Sequence, residues 1–186
     1  KTEEDLRRPA FLQEKSGMRA DEYGSLLHNV LQHISLQHKL DEAGLREELL
    51  RLKQEAFLTE EQLAAVKIGE LERFFSSPVG HRLQKAKRVW RELPFSRTLP
   101  ANRFYDTADE KTTVFLQGVI DVLFQETDGQ YILLDYKTDW NIEPGHIKEK
   151  YRVQVDLYRE AVEDMLGVRV SESYLVLLKD GTTVQL

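Results

Sequence analysis

The sequence predicts an α/β fold: a central mixed β-sheet flanked by helices, with a helical N-terminal extension. Three observations lead there. Apolar residues recur at helical spacing through the first half of the 186-residue chain, and the period changes to two after about residue 87. The second half then reads β-β-β-α-β. Asp128-Gly129 lies between two apolar strand candidates, which is a hairpin signal.

Residues 1–20, with Arg-Arg-Pro and Ser-Gly, read as an irregular lead-in. A helix follows from Asp21, with Leu27, Val30, Leu31 and Ile34 on one face, and a second spans Asp41 to Leu52. Thr59 and Gln62 form a capping box for a third helix, whose apolar side is Leu63, Val66, Leu71, Phe74 and Phe75. Ser77-Pro78 opens a short fourth helix. Strands are expected over 89–95, 112–126 and 130–137, then a loop over 138–147 with Pro144-Gly145. A helix over 148–166 stops at Gly167, and a strand over 173–178, an Asp180-Gly181 turn and a short last strand complete the order. No repeat or linker interrupts it, so residues 21–186 are expected to be one domain, helical over 21–87 and sheet-based over 88–186.

Composition excludes several functions. There are no cysteines, so disulfides, thiolate zinc sites and an iron–sulfur cluster are ruled out. The net charge of −6 argues against coating nucleic acid by bulk electrostatics. No apolar run approaches the ~20 residues that cross a bilayer, and no signal peptide pattern opens the chain, so an intracellular, cytoplasmic place is expected. The first residue is Lys1, which suggests a piece of a longer chain.

The chemistry concentrates in Leu133-Leu134-Asp135-Tyr136-Lys137. Asp135 and Lys137 share a strand face, with Tyr136 on the other. On the preceding strand Asp121 interrupts the apolar run 119–124. A three-residue loop, Thr127-Asp128-Gly129, would set Asp121 opposite Asp135, with Cβ atoms roughly 5 Å apart and one cation within reach of both. A two-residue loop would pair Asp121 with Tyr136 and separate the carboxylates. Lys137 could then orient water or neutralise charge on a phosphate. An arbitrary Asp-x-Lys is more often an ion pair closing a strand, so the upstream Asp121 is what raises the reading.

Gly118-Val119-Ile120-Asp121 followed by Asp135-Tyr136-Lys137 resembles the PD-(D/E)XK nucleases, and within them the RecB-like family, with Ile120 where a Pro is usual. Gln154 and Tyr158 match that family's Gln-x-x-x-Tyr helix, with Tyr151 on the same face, and His28 in Gly24-Ser25-Leu26-Leu27-His28 matches its N-terminal histidine. His33 lies about 140° round the helix from His28 and, with His38, His81 and His146, is set aside. Arg8-Pro9, Phe11-Leu12, Tyr23 to Ile34 and Arg91 to Phe95 are similar to the C-terminal nuclease domains of the AddA chains of AddAB-type helicase–nucleases.

The resemblance implies a restriction-endonuclease-like core and hydrolysis of DNA phosphodiester bonds by an exonuclease. Asp121, Asp135, the Tyr136 backbone carbonyl and His28 would bind Mg²⁺, for which Mn²⁺ or Ca²⁺ can substitute; Lys137, Gln154 and Tyr158 would complete catalysis. Glu92 on the first core strand is a further candidate, as readily an exposed strand residue. The implied partners are single-stranded DNA, helicase domains of the same longer chain and a second, AddB-like subunit, in double-strand break repair and recombination. No G-x-x-x-x-G-K-[ST] occurs, so no ATP site is expected here. His81-Arg82, Lys85 to Arg88, and Lys148, Lys150 and Arg152 are candidate phosphate contacts. The rival readings are a catalytically silent scaffold, which should have lost one of Asp121, Asp135 or Lys137, and a stand-alone restriction-like endonuclease.

Overall fold

The structure, a computed structural model, describes residues 18–106, 111–138 and 146–186. The motifs at Arg8-Pro9, Phe11-Leu12 and Pro144-Gly145 lie outside them.

Five helices precede the sheet: α1 (Ala20–His33), α2 (Glu42–Gln54), α3 (Glu60–Ala65), α4 (Ile68–Phe75) and α5 (Pro78–Gln84). Local signals start most of them as expected. Asp41 caps α2 by accepting the Gly44 N–H, Thr59 and Gln62 form the capping box of α3, and Ser77 caps α5 ahead of Pro78. The third expected helix is in fact two, because Val66 and Lys67 are extended. Tertiary contact explains the break. The Tyr23 hydroxyl accepts the Lys67 N–H at 3.2 Å and donates to Glu70 at 2.8 Å, so α1 supplies the cap that α4 lacks.

Strands β1 (Arg88–Pro100), β2 (Thr113–Gln125), β3 (Tyr131–Lys137), β4 (Val170–Leu177) and β5 (Thr182–Gln185) form one sheet in that order. Only β3 and β4 are parallel, and α6 (Ile147–Leu166) makes the crossover between them. Gly167 ends α6 at φ 65°, a left-handed position that suits glycine. β1 runs well past the expected Phe95, because a long β2 pairs with it up to Pro100↔Thr113.

The hairpin register decides the site. Val122 pairs with Leu134 and Gln125 with Tyr131. The loop is therefore the three residues Thr127 to Gly129, with Glu126 N–H on Gln130 O at 2.9 Å and Gly129 at φ 94°. Helices α1, α2, α4 and α5 cover one sheet face through Leu27, Phe74, Phe124 and Tyr136, while α6 covers the other through Val155, Val162, Leu123 and Leu133. No helix among the described residues is long and apolar enough to cross a membrane.

Arg82 ties the layers together. Its guanidinium makes paired contacts with Glu126 at 2.8 and 3.0 Å and with Glu172 at 2.8 and 3.1 Å. It is a structural clamp, engaged by two carboxylates, and not the phosphate contact that the sequence suggested. Arg82→Met leaves both carboxylates half-buried and unpaired, so stability should fall by about 2–3 kcal/mol in urea unfolding. An unchanged midpoint would mean that water already screens the network.

Candidate active site

Three ends of structure meet at one place: the middle of α1, the centre of the β1–β2 pair, and the end of β3. Asp121 organises it. The β2–β3 ladder stops at Val122↔Leu134, one step short of Asp121. The freed carboxylate takes over: Oδ2 accepts the Tyr136 N–H at 2.6 Å, and Oδ1 lies 3.2 Å from His28 Nδ1. That contact lifts the imidazole pKa above its ordinary value.

Glu92 joins them. Arg91 pairs with Val122 and Leu93 with Ile120, so Glu92 falls opposite Asp121 with the register intact. Yet the alternation of the two strands resets there. Trp90 and Leu123 pack on the α6 side, and so do Leu93, Phe95 and Ile120 of opposite parity. The cause is visible at Glu92, whose φ of 49° is left-handed, a conformation costing on the order of 1–3 kcal/mol in a non-glycine residue. Among the described residues, the three-ligand group with donor atoms within 4.8 Å of one another is His28, Glu92 and Asp121. The sequence offered a signal for this, since apolar residues at 90, 93 and 95 already break period two.

Asp135 is buried on the α6 side and stands outside that three-ligand group. Its Oδ2 lies 2.7 Å from Lys137 Nζ, but the direction is not that of a hydrogen bond, and the atom has no other partner. Burial pushes its carboxyl up to about 6, against the lowering pull of Lys137. Burial, with the Asp121 charge, also raises Glu92. Desolvated carboxylates and an unused buried oxygen fit a divalent cation, which would compensate the charge. The 3.2 Å between His28 Nδ1 and Asp121 Oδ1 also matches adjacent ligands of an octahedral ion, about 3 Å apart for bonds of about 2.1 Å.

Lys137 leads to α6. Its Nζ donates to Gln154 Oε1 at 3.0 Å, and Gln154 Nε2 donates to the Tyr158 hydroxyl at 2.7 Å. Tyr151 places its ring 4.5 Å below the same ammonium. Gly118 lets the Phe95 ring lie over β2, where it meets Tyr158 edge-on at 5.4 Å; a Cβ at Gly118 would come within 2.6 Å of that ring. Tyr136 turns its side chain the other way, edge-on to His28 and Phe74. His33 is held apart, with Nδ1 at Asn29 O and its ring stacked on Phe57. An open groove of about 510 Å³ runs past His28, Asn29, Glu92 and Thr138.

A mixed sheet with an Asp, an Asp-x-Lys and a Gln-x-x-x-Tyr at adjoining strand and helix positions is the arrangement of a nuclease. The chain belongs to the PD-(D/E)XK nuclease superfamily, whose sequence profile matches residues 2–185. It is 38% identical over 188 residues to the AddA-type chain of the ATP-dependent helicase/nuclease of Thermoanaerobacter sp. strain X514, covering 98% of this chain and 15% of that protein. It is 42% identical to the corresponding helicase/nuclease chain of Heliobacterium modesticaldum, covering 96% and 13%, and 40% identical to that of Desulforamulus reducens, covering 96% and 14%. The chain thus spans about 15% of the length of these relatives. Nucleases of this superfamily generally use divalent metal ions.

Proposed function

We propose that the chain is a Mg²⁺- or Mn²⁺-dependent deoxyribonuclease domain, an exonuclease acting on single-stranded DNA. A helicase motor in the same longer chain would feed the strand, and a second, AddB-like subunit would be its partner, in cytoplasmic repair and recombination of double-strand breaks. The similarity to the ATP-dependent helicase/nuclease chains supports this setting. The observation that carries the chemistry is Asp135: a buried carboxylate with an unused oxygen, next to a lysine ammonium and near His28, Glu92 and Asp121.

In this reading Asp121, Asp135, the Tyr136 carbonyl and His28 hold the ion, and Glu92 completes the set. A bound divalent ion supplies Lewis-acid polarisation of the phosphate and lowers the pKa of water. The chain's own groups do the rest. Lys137, fixed between Asp135 and Gln154, orients the attacking water and offsets charge on the phosphate oxygens. Gln154 keeps that ammonium in place, and the Tyr158 hydroxyl fixes which end of the Gln154 amide faces it. Water oxygen bonds to phosphorus as the P–O3′ bond breaks, leaving a 5′-phosphate and a 3′-hydroxyl.

The test is cleavage of labelled single-stranded DNA by the chain with Mg²⁺ or Mn²⁺, beside Asp135→Ala. Cutting that needs metal and vanishes in the variant is expected. Tight Mn²⁺ binding lost in the variant, without cutting in either, would mean an intact site that needs the rest of the enzyme. Neither cutting nor metal binding would favour the scaffold.

A further inference from the structure

His28 and Glu92 come from different layers, one from the helical layer and one from the sheet. Most described ties of α1 stay within the helices. Tyr23 bonds Glu70, Asn29 bonds Phe57 O, and His33 O accepts from Arg51. None of these sets the distance from α1 to β1. Arg91 does. One of its guanidinium nitrogens, Nη1, donates to Gln32 O at 2.8 Å and to Ile34 O at 2.7 Å. Both carbonyls are at the C-terminal end of α1, where the terminal oxygens lack helical partners and carry the negative end of the helix dipole. Gln32 follows His28 by one helical turn, about 6 Å. Arg91 itself immediately precedes Glu92.

The geometry is unusual for an arginine. The side chain is half-buried and, among the described residues, makes no ion pair, although carboxylates stand nearby. At the other end of α1, Gly24 lies against the end of β3, where a Cβ would come within 2.8 Å of Thr138 Oγ1. The helix is thus held against the sheet at both ends, with His28 between.

We infer that Arg91 is a positioning residue of the metal centre: by pinning the last turn of α1 to β1 it holds His28 at its ligand distance from Asp121. The inference rests on the reading of this site as a metal centre. Arg91 touches neither metal nor substrate, and its effect runs through His28.

The experiment is Mn²⁺ titration of the chain, read by calorimetry, for the wild type, Arg91→Met, His28→Ala and the double variant. Near-ultraviolet circular dichroism and urea midpoints check the fold of each. Arg91→Met is expected to weaken Mn²⁺ binding by about 10- to 100-fold, the size seen when groups behind a ligand are removed. In the His28→Ala background the same substitution should change affinity less than about twofold. Arg91→Lys, which keeps one donor toward the carbonyls, should fall between wild type and Arg91→Met, and carries the test if Arg91→Met does not fold. Equal weakening with and without His28 would overturn the inference, and so would wild-type affinity in Arg91→Met. Coupling to Glu92→Gln in place of His28 would overturn it too. Absence of Mn²⁺ binding by the wild type would instead overturn the site reading, and this inference with it.

Discussion

Asp121→Asn is expected to abolish measurable Mn²⁺ binding and to lower cleavage by at least about a thousandfold, roughly 4 kcal/mol of transition-state stabilisation. No other side chain in the site faces so many groups. Asp121 accepts the Tyr136 N–H at 2.6 Å, contacts His28 at 3.2 Å and shares the three-ligand group with Glu92. Asn preserves the shape and still offers one oxygen to Tyr136, so the fold should survive. It removes the charge and turns an amide toward His28 or Glu92. The fold should therefore melt within a few degrees of wild type while metal binding disappears. Mn²⁺ affinity within threefold of wild type would show that Asp121 is a structural acceptor for Tyr136 and nothing more.

Lys137→Met should have the next largest effect on turnover, with the opposite sign on metal binding. Met keeps the aliphatic stem over the Tyr151 ring and removes the ammonium beside Asp135 and Gln154. Loss of one charge aimed at a developing oxyanion costs about 10²–10³-fold in kcat. A cation site that loses a neighbouring positive charge should bind its ion more tightly, because Asp135 is released from its ion pair. Slower cleavage with equal or tighter Mn²⁺ binding is thus the expected pattern. Weaker Mn²⁺ binding would mean that Lys137 serves to organise the ligands, and its catalytic assignment would fall.

Much of this site could be read in the chain because its parts are local. Gln154 and Tyr158 are one helical turn apart, so any helix there brings them together, and they do meet at 2.7 Å. Asp135 and Lys137 share a strand face by alternation alone, and they meet at 2.7 Å. The hairpin also follows from local chemistry, since a three-residue loop with glycine in the left-handed position fixes which residues of β2 and β3 face each other.

Long-range contact decided the rest. Thr59 and Gln62 announced the start of α3, but only the Tyr23 hydroxyl, 44 residues away from Lys67, ends it and begins α4. Arg82 looked like part of a cationic stretch until Glu126 and Glu172 closed around it. Glu92 could be an exposed strand residue until its left-handed backbone turned both strands over and set it opposite Asp121. Sequence alone determined which residue types stand at which spacing, and so the chemistry on offer, because spacing along one helix or strand is set by backbone geometry. Which distant charges meet was left to the tertiary structure: a guanidinium or carboxylate takes its role from the partner that desolvation forces it to find, and that partner can lie anywhere in the chain.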